Sequence, residues 1–225
     1  MKLRCNFFIH LFGILFVIIF ASCESVFEKS SENTTGNPSD INYILNMNFD
    51  NNILDSSENK FAAYWVGTPT FYNSSAIELS NSSANYIRIP HDDKLGSLPE
   101  MTITVWASLN SSGVGGVLIA KTNQFKITIF SYGCIGVIST NGTSHGISKA
   151  LSMDVPVGVN DRAFHKYTLI YNGSVMQFFI DDVLLDSLPV SYPVDNDNTS
   201  DLYIGYDPEY LQIFEGTIDS VSITR

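Results

Sequence analysis

Any hydrolytic chemistry in this chain of 225 residues would rest on a few carboxylates and histidines. Asp181 and Asp182 are adjacent, Asp195 and Asp197 flank Asn196, and His91, His145 and His165 are spread along the chain. Two carboxylates can cleave a glycosidic bond when acid and nucleophile sit ~5 Å apart, or farther for inversion. Asp181 and Asp182 are neighbours that point apart, and a tight turn accounts for both. Asp195 and Asp197 fall in a loop. The histidines show neither metal-ligand spacing nor an evident serine or cysteine partner. Acid pairs can also be assembled from distant segments, so a glycan-cleaving enzyme stays open as an alternative.

The second chemistry is stacking. A sugar lays its apolar face on an aromatic ring and hydrogen-bonds at its edges to amides and carboxylates. Tyr64, Trp65, Tyr72, Tyr206 and Tyr210 occupy loop-like segments and are the candidate ligand-binding rings, with Asn123, Gln124 and His145 as polar partners. For each ring the competing reading is packing over the edge of a core. Trp106 lies within a strand pattern and is expected in the core.

The elements that must position these groups are strands. Residues 164–187 (FHKYTLIYNGSVMQFFIDDVLLDS) read as a three-strand antiparallel meander. Tyr167, Leu169 and Tyr171 alternate with Lys166, Thr168 and Ile170, the period-two rhythm of a strand packed on one face. Asn172-Gly173 suits a two-residue type I′ turn, which needs positive φ at both positions. Asp181-Asp182 makes a second tight turn. Further strands are expected over 41–50, 76–79, 86–89, 100–110, 117–121, 124–130, 134–139, 144–148, 201–206 and 214–224, with a loop over 152–161. Turn signals recur every 8–12 residues and no segment reads as an amphipathic helix, so the expected fold is an all-β, two-sheet antiparallel jelly-roll sandwich with six or seven strands per sheet.

The amino-terminal residues carry an address. Lys2 and Arg4 precede a nearly unbroken apolar run over 7–20, rather short for a membrane span and ending in Ala21-Ser22-Cys23. This resembles the lipobox of a bacterial lipoprotein, and the resemblance implies a signal peptide over 1–22, a lipid on Cys23 and export to an outer membrane or cell surface. Residues 23–40 are rich in Ser, Asn, Thr and Glu and read as a flexible tether; the domain spans 41–225. Removing 1–22 leaves 10 basic against 23 acidic residues, a net charge of −13. Such a surface argues against nucleic acid, which needs clustered Lys and Arg. Of three cysteines only Cys134 remains after Cys5 and Cys23, and it reads as a small buried hydrophobe. Asn73, Asn81, Asn141 and Asn172 open Asn-x-Ser/Thr triplets, read here as loop chemistry.

Five segments resemble the laminin-G-like jelly roll of the concanavalin A-like lectin/glucanase superfamily, in that family's order. They are residues 46–56 (NMNFDNNILDS), 84–90 (ANYIRIP), 101–107 (MTITVWA), the 164–187 hairpin and the closing strands within 202–223, together covering essentially 41–225. Phe164 stands where the family has Trp, as an aromatic core plug, and Asp182 where it has Gly, which a turn tolerates. The resemblance implies a recognition domain binding a glycan or another extracellular protein without turnover. A glycan-cleaving enzyme of the fold would be expected to carry a Glu-x-Asp-x-x-Glu strand, and the chain has none. It also implies a structural calcium where the first and last strands meet, with Asp50 and Asp219 near the matching positions. Calcium takes six to eight oxygens, so loop carbonyls would have to complete the site. A structural or adhesive protein without a small ligand is the remaining alternative.

Overall fold

The computed structural model describes residues 41–225 apart from 69, 81–83, 97, 111–114, 141, 151–161, 191–192 and 197–198; at 149 and 150 it describes the backbone alone. The expected signal segment, Cys23, the tether, Asn81, Asn141, the 152–161 loop and Asp197 lie outside the described residues.

Alternation builds two antiparallel sheets. The first, sheet A, runs β13 (Val183–Pro189), β12 (Val175–Ile180), β11 (His165–Tyr171), β6 (Met101–Leu109), β17 (Gly216–Thr224), β4 (Ala76–Leu79) and β3 (Phe71–Tyr72), with β1 (Tyr43–Met47) also paired to β17. Sheet B runs β10 (Thr143–Ala150), β9 (Gly133–Thr140), β8 (Phe125–Phe130), β7 (Gly116–Lys121), β14 (Leu202–Ile204), β5 (Tyr86–Ile89) and β2 (Tyr64–Val66). A two-stranded ribbon joins β15 (Tyr206–Asp207) to β16 (Gln212–Ile213), and a short helix, α1, covers Asp93–Gly96. Among the described residues sheet B has seven strands, within the six or seven expected, and sheet A has eight, one more.

The core lies between the sheets. Ile103, Val105, Tyr167, Leu169, Phe178 and Ile223 enter from sheet A, and Ile87, Ile89, Ile119, Ile127, Leu202 and Ile204 from sheet B. Cys134 is fully buried among them, and desolvation pushes its thiol up to about 12, so it behaves as the expected hydrophobe. Each sheet joins a run of consecutive strands, β11 to β13 in sheet A and β7 to β10 in sheet B, to strands far away in sequence, such as β6 beside β17 and β7 beside β14.

The 164–187 hairpins form in the expected register, with two corrections. Ile180 pairs with Val183, and Asp181 and Asp182 both take positive φ (49° and 65°), as a type I′ turn requires. At the other turn only Gly173 has positive φ (87°). Asn172 instead follows the end of β11 and caps the loop, its side-chain oxygen accepting the N–H groups of Ser174 (3.2 Å) and Val175 (2.9 Å). Phe164 is half-buried and outside the main cluster, whereas the following His165 is buried and bonds through Nδ1 to Asp181 Oδ2 at 2.7 Å. Asp182 points the other way, to Lys166 Nζ at 2.7 Å.

Trp106 also departs from expectation. It sits opposite Lys166 and is 39% exposed on the outward face of sheet A. Met101, Ile103, Val105 and Ala107 take the inward positions of β6, and strict alternation leaves the ring outside whatever its size.

Candidate ligand-binding face

The outward face of sheet B carries a group of exposed and half-buried tyrosines. Cross-strand pairing fixes a single row, Tyr64–Arg88–Tyr203–Ala120–Lys126–Val137, across β2, β5, β14, β7, β8 and β9. Residues directly opposite one another share a face, so all six side chains leave the sheet on the same side. Their neighbours Ile87, Ile89, Leu202 and Ile204 are fully buried on the other side.

Tyr86 lies two residues before Arg88 and shares its face. Tyr206 stacks on Tyr86 with centroids 4.2 Å apart and planes 15° from parallel, and Tyr203 meets Tyr206 edge-on at 5.5 Å. Stacked and edge-on contacts are the favoured aromatic geometries, so the three rings form one rigid cluster. Burial, reinforced by Asp201 and Tyr86, raises the Tyr203 phenol above its ordinary value; burial, Tyr86 and Asp207 do the same for Tyr206. Both therefore stay protonated at neutral pH and retain an O–H that can donate.

Two exposed tyrosines flank the cluster, each with a cation against its ring. The Arg88 guanidinium lies 5.8 Å from the Tyr64 centroid and pairs with Asp201 at 3.2 Å. Lys126 Nζ lies 4.6 Å from the Tyr210 centroid and pairs with Asp207 at 2.7 Å. Asp207 is 3% exposed, and its other oxygen accepts the Glu209 N–H at 2.9 Å, so its hydrogen-bonding capacity is largely taken. Beside Lys126 a pocket of about 90 Å³ opens, lined among others by Asn123, Gln124, Ser139, Ser144, Asp207 and Glu209.

Of the rings expected to bind ligand, Tyr64, Tyr206 and Tyr210 thus share one face. Trp65 turns inward, packing against the core and against Phe71 at 5.8 Å. Tyr72 stands on β3 in sheet A, away from the other three. Among the expected polar partners, Asn123 is exposed at the pocket rim, and His145 is half-buried on β10. Gln124 is buried; its amide nitrogen donates to Gly96 O (2.6 Å) and Asp195 O (2.8 Å), tying three segments together. Sequence reasoning missed Tyr86, Tyr203, Arg88 and Lys126. The signal was present, since each alternates with apolar residues on a strand and so must face outward.

Asp50 and Asp219 do approach one another. Asp219 occupies a β-bulge in β17 and is half-buried. Desolvation raises its pKa first and the Asp50 charge raises it further, against a lowering hydrogen bond from Ser220. The Asn48 amide donates to Asp50 Oδ2 at 2.6 Å. Among the described residues no three His, Cys, Asp or Glu side chains gather into a metal-binding group. Carboxylate, amide and carbonyl oxygens at this corner are hard ligands of the kind calcium takes.

The sequence model of the concanavalin A-like lectin/glucanases superfamily matches residues 81–225. No curated protein matches the chain. Solved structures that it resembles include the binding domain of botulinum neurotoxin DC in complex with SialylT, at 15% identity and a TM-score of 0.64, covering 81% of this chain and 47% of that one. The same domain in complex with rat synaptotagmin II matches at 14% identity and a TM-score of 0.63, covering 81% and 48%. The binding domain of Paraclostridial Mosquitocidal Protein 1 matches at 17% identity and a TM-score of 0.62, covering 82% and 48%. The chain spans about half the length of these structures, and at such identities the likeness is one of fold.

Proposed function

The chain belongs to the concanavalin A-like lectin/glucanase superfamily, and we propose that it is a recognition module whose tyrosine face on sheet B binds a carbohydrate without turning it over. One observation carries this reading: Tyr64, Tyr86, Tyr203, Tyr206 and Tyr210 converge on one side of one sheet, next to a polar pocket. Rings for stacking and hydrogen-bonding groups beside them are what a sugar needs. The similar toxin binding domains, solved with SialylT and with rat synaptotagmin II, are consistent with a ligand-presenting role for this fold. The two carboxylates that pair with cations of the face are engaged, Asp201 with Arg88 and Asp207 with Lys126.

The test is a glycan array probed with residues 24–225, in calcium and in chelator. Saturable binding to a glycan class is expected, with Tyr206→Ala lowering affinity about tenfold or more, the ~1.4–2 kcal/mol scale of a central aromatic contact. Tyr72→Ala, on the other sheet, should leave it unchanged. A blank array in both conditions sinks the reading and turns attention to protein partners.

Calcium at the Asp50–Asp219 corner is part of the same proposal, with Asn48 and loop carbonyls adding oxygens. Without the ion, Asp219 has a raised pKa, so its charged form opposes folding above that pKa. The cost is full at neutral pH and relieved as pH falls through the folded pKa towards the unfolded one. D219N is therefore expected to be the more stable protein at neutral pH in chelator, with an advantage that shrinks on acidification. Calcium should raise the melting temperature of the parent chain and not that of D219N. Equal calcium shifts in both proteins, or none in the parent, would remove the metal from this corner.

A further inference from the structure

The row on sheet B has a length and a charge that say more about its ligand. Tyr64 stands on β2 and Lys126, which carries Tyr210, on β8, four strand steps away. Strands lie ~4.8 Å apart, so the row extends about 19 Å perpendicular to them. One sugar ring covers one aromatic ring. A row with tyrosines at both ends and a three-ring cluster between matches several sugar units in succession, not a single terminal residue.

Charge narrows the class. Arg88 and Lys126 are the cations of the row, and both are committed, to Asp201 at 3.2 Å and to Asp207 at 2.7 Å. Glu209 lines the pocket, is exposed and adds a further negative charge. The chain as a whole carries −11. A carboxylated or sulfated sugar would approach this face against its field, and would have to break an existing ion pair to gain a cation. The same ion pairs hold Arg88 and Lys126 against Tyr64 and Tyr210, so the end rings are placed before any ligand arrives.

We infer that the tyrosine face takes a neutral, chain-like glycan that lies across the strands from Tyr64 to Tyr210, and that it disfavours acidic glycans. The inference rests on the carbohydrate-binding reading above and specifies the ligand class at that same face.

Calorimetry on the whole chain tests it, using neutral gluco-, manno-, galacto- and xylo-oligosaccharides graded from one to six units. Oligogalacturonates and sialylated oligosaccharides serve as acidic counterparts. Affinity for the neutral class that binds is expected to rise about tenfold or more between two and four units. Tyr64→Ala and Tyr210→Ala, both exposed rings whose loss spares the core, should erase most of that gain. Tyr206→Ala should weaken every length alike. Acidic counterparts should bind at least several-fold more weakly, with a gap that narrows as salt screens it. Affinity that is flat beyond one or two units, or an acidic glycan that binds as tightly as the neutral one, overturns the inference and leaves carbohydrate binding standing. No binding by any sugar at any length brings down both.

Discussion

Asp55→Ala is expected to destabilise the domain by about 4 kcal/mol, read as a lower urea midpoint at unchanged slope. Asp55 is 4% exposed and accepts four hydrogen bonds. Oδ1 takes the N–H of Asn46 (3.0 Å) and of Ser57 (2.9 Å), and Oδ2 takes the Ser57 hydroxyl (2.8 Å) and the Phe61 N–H (2.9 Å). Bonds to a charged acceptor are worth roughly 1.5–3 kcal/mol each, though several on one carboxylate do not add fully. Alanine removes all four and leaves the buried Ser57 N–H and the half-buried Asn46 and Phe61 N–H groups without this acceptor. Ser57 loses its anchor as well, although its hydroxyl, 3.1 Å from Ile44 O, can then turn its one hydrogen to that carbonyl and keep the loop docked on β1 in part.

Asp55→Asn separates hydrogen bonding from packing. An amide oxygen can still accept from Asn46 and Ser57, and the amide nitrogen can donate to the Ser57 hydroxyl. It cannot accept from Phe61, where two donors would face each other. The loss should be about half that of alanine. Equal losses in the two variants would show that the carboxylate acts by filling space, and a loss under about 1 kcal/mol for alanine would show that the loop is not held this way.

Nothing periodic marks Asp55, which explains why it was invisible in the sequence. Side-chain bonds to backbone N–H groups depend on how a loop closes in three dimensions, and residues 46–56 read only as a strand followed by a loop. Alternation, in contrast, was legible wherever it was followed without regard to residue size. It placed Tyr167, Leu169 and Tyr171 inside, and taken strictly it also puts Trp106 outside and Tyr86 and Tyr203 on the ligand-binding face. Treating a large aromatic ring in a strand as core is what misplaced Trp106, and taking candidate rings from loop-like segments passed over Tyr86 and Tyr203. Turn chemistry was half legible. The Asn172-Gly173 pair did mark a turn, but its asparagine acts by side-chain capping rather than through positive φ. The face itself could not be read from sequence, because Tyr64, Tyr86, Lys126, Tyr203 and Tyr210 meet only through the strand order of sheet B.

Gly205→Ala should damage both stability and binding, because Gly205 turns the chain from the core into the ligand-binding face. It lies between Ile204, fully buried in β14, and Tyr206, stacked on Tyr86. Its φ is +80°, a conformation that costs an L-residue roughly 1–2 kcal/mol. A Cβ there would also run into Leu79 Cδ1, in the fully packed interior between the sheets. Overpacking a filled core costs a further ~1–3 kcal/mol, so a total of about 3 kcal/mol is expected. The backbone has little freedom to escape, since Gly205 N–H donates to Leu118 O and its carbonyl accepts from Phe214 N–H, both at 2.9 Å. Any relaxation must displace Tyr206 or Leu79. Shortening Leu79 to alanine in the same chain should therefore recover part of the loss, giving a double variant less destabilised than the two single losses summed. The φ strain would persist in that double variant, so recovery should be incomplete, and sugar affinity should return only as far as the Tyr206–Tyr86 stack does. Strict additivity of the two substitutions would mean that the methyl never meets Leu79, and full binding by Gly205→Ala would mean that the position of Tyr206 does not depend on this turn.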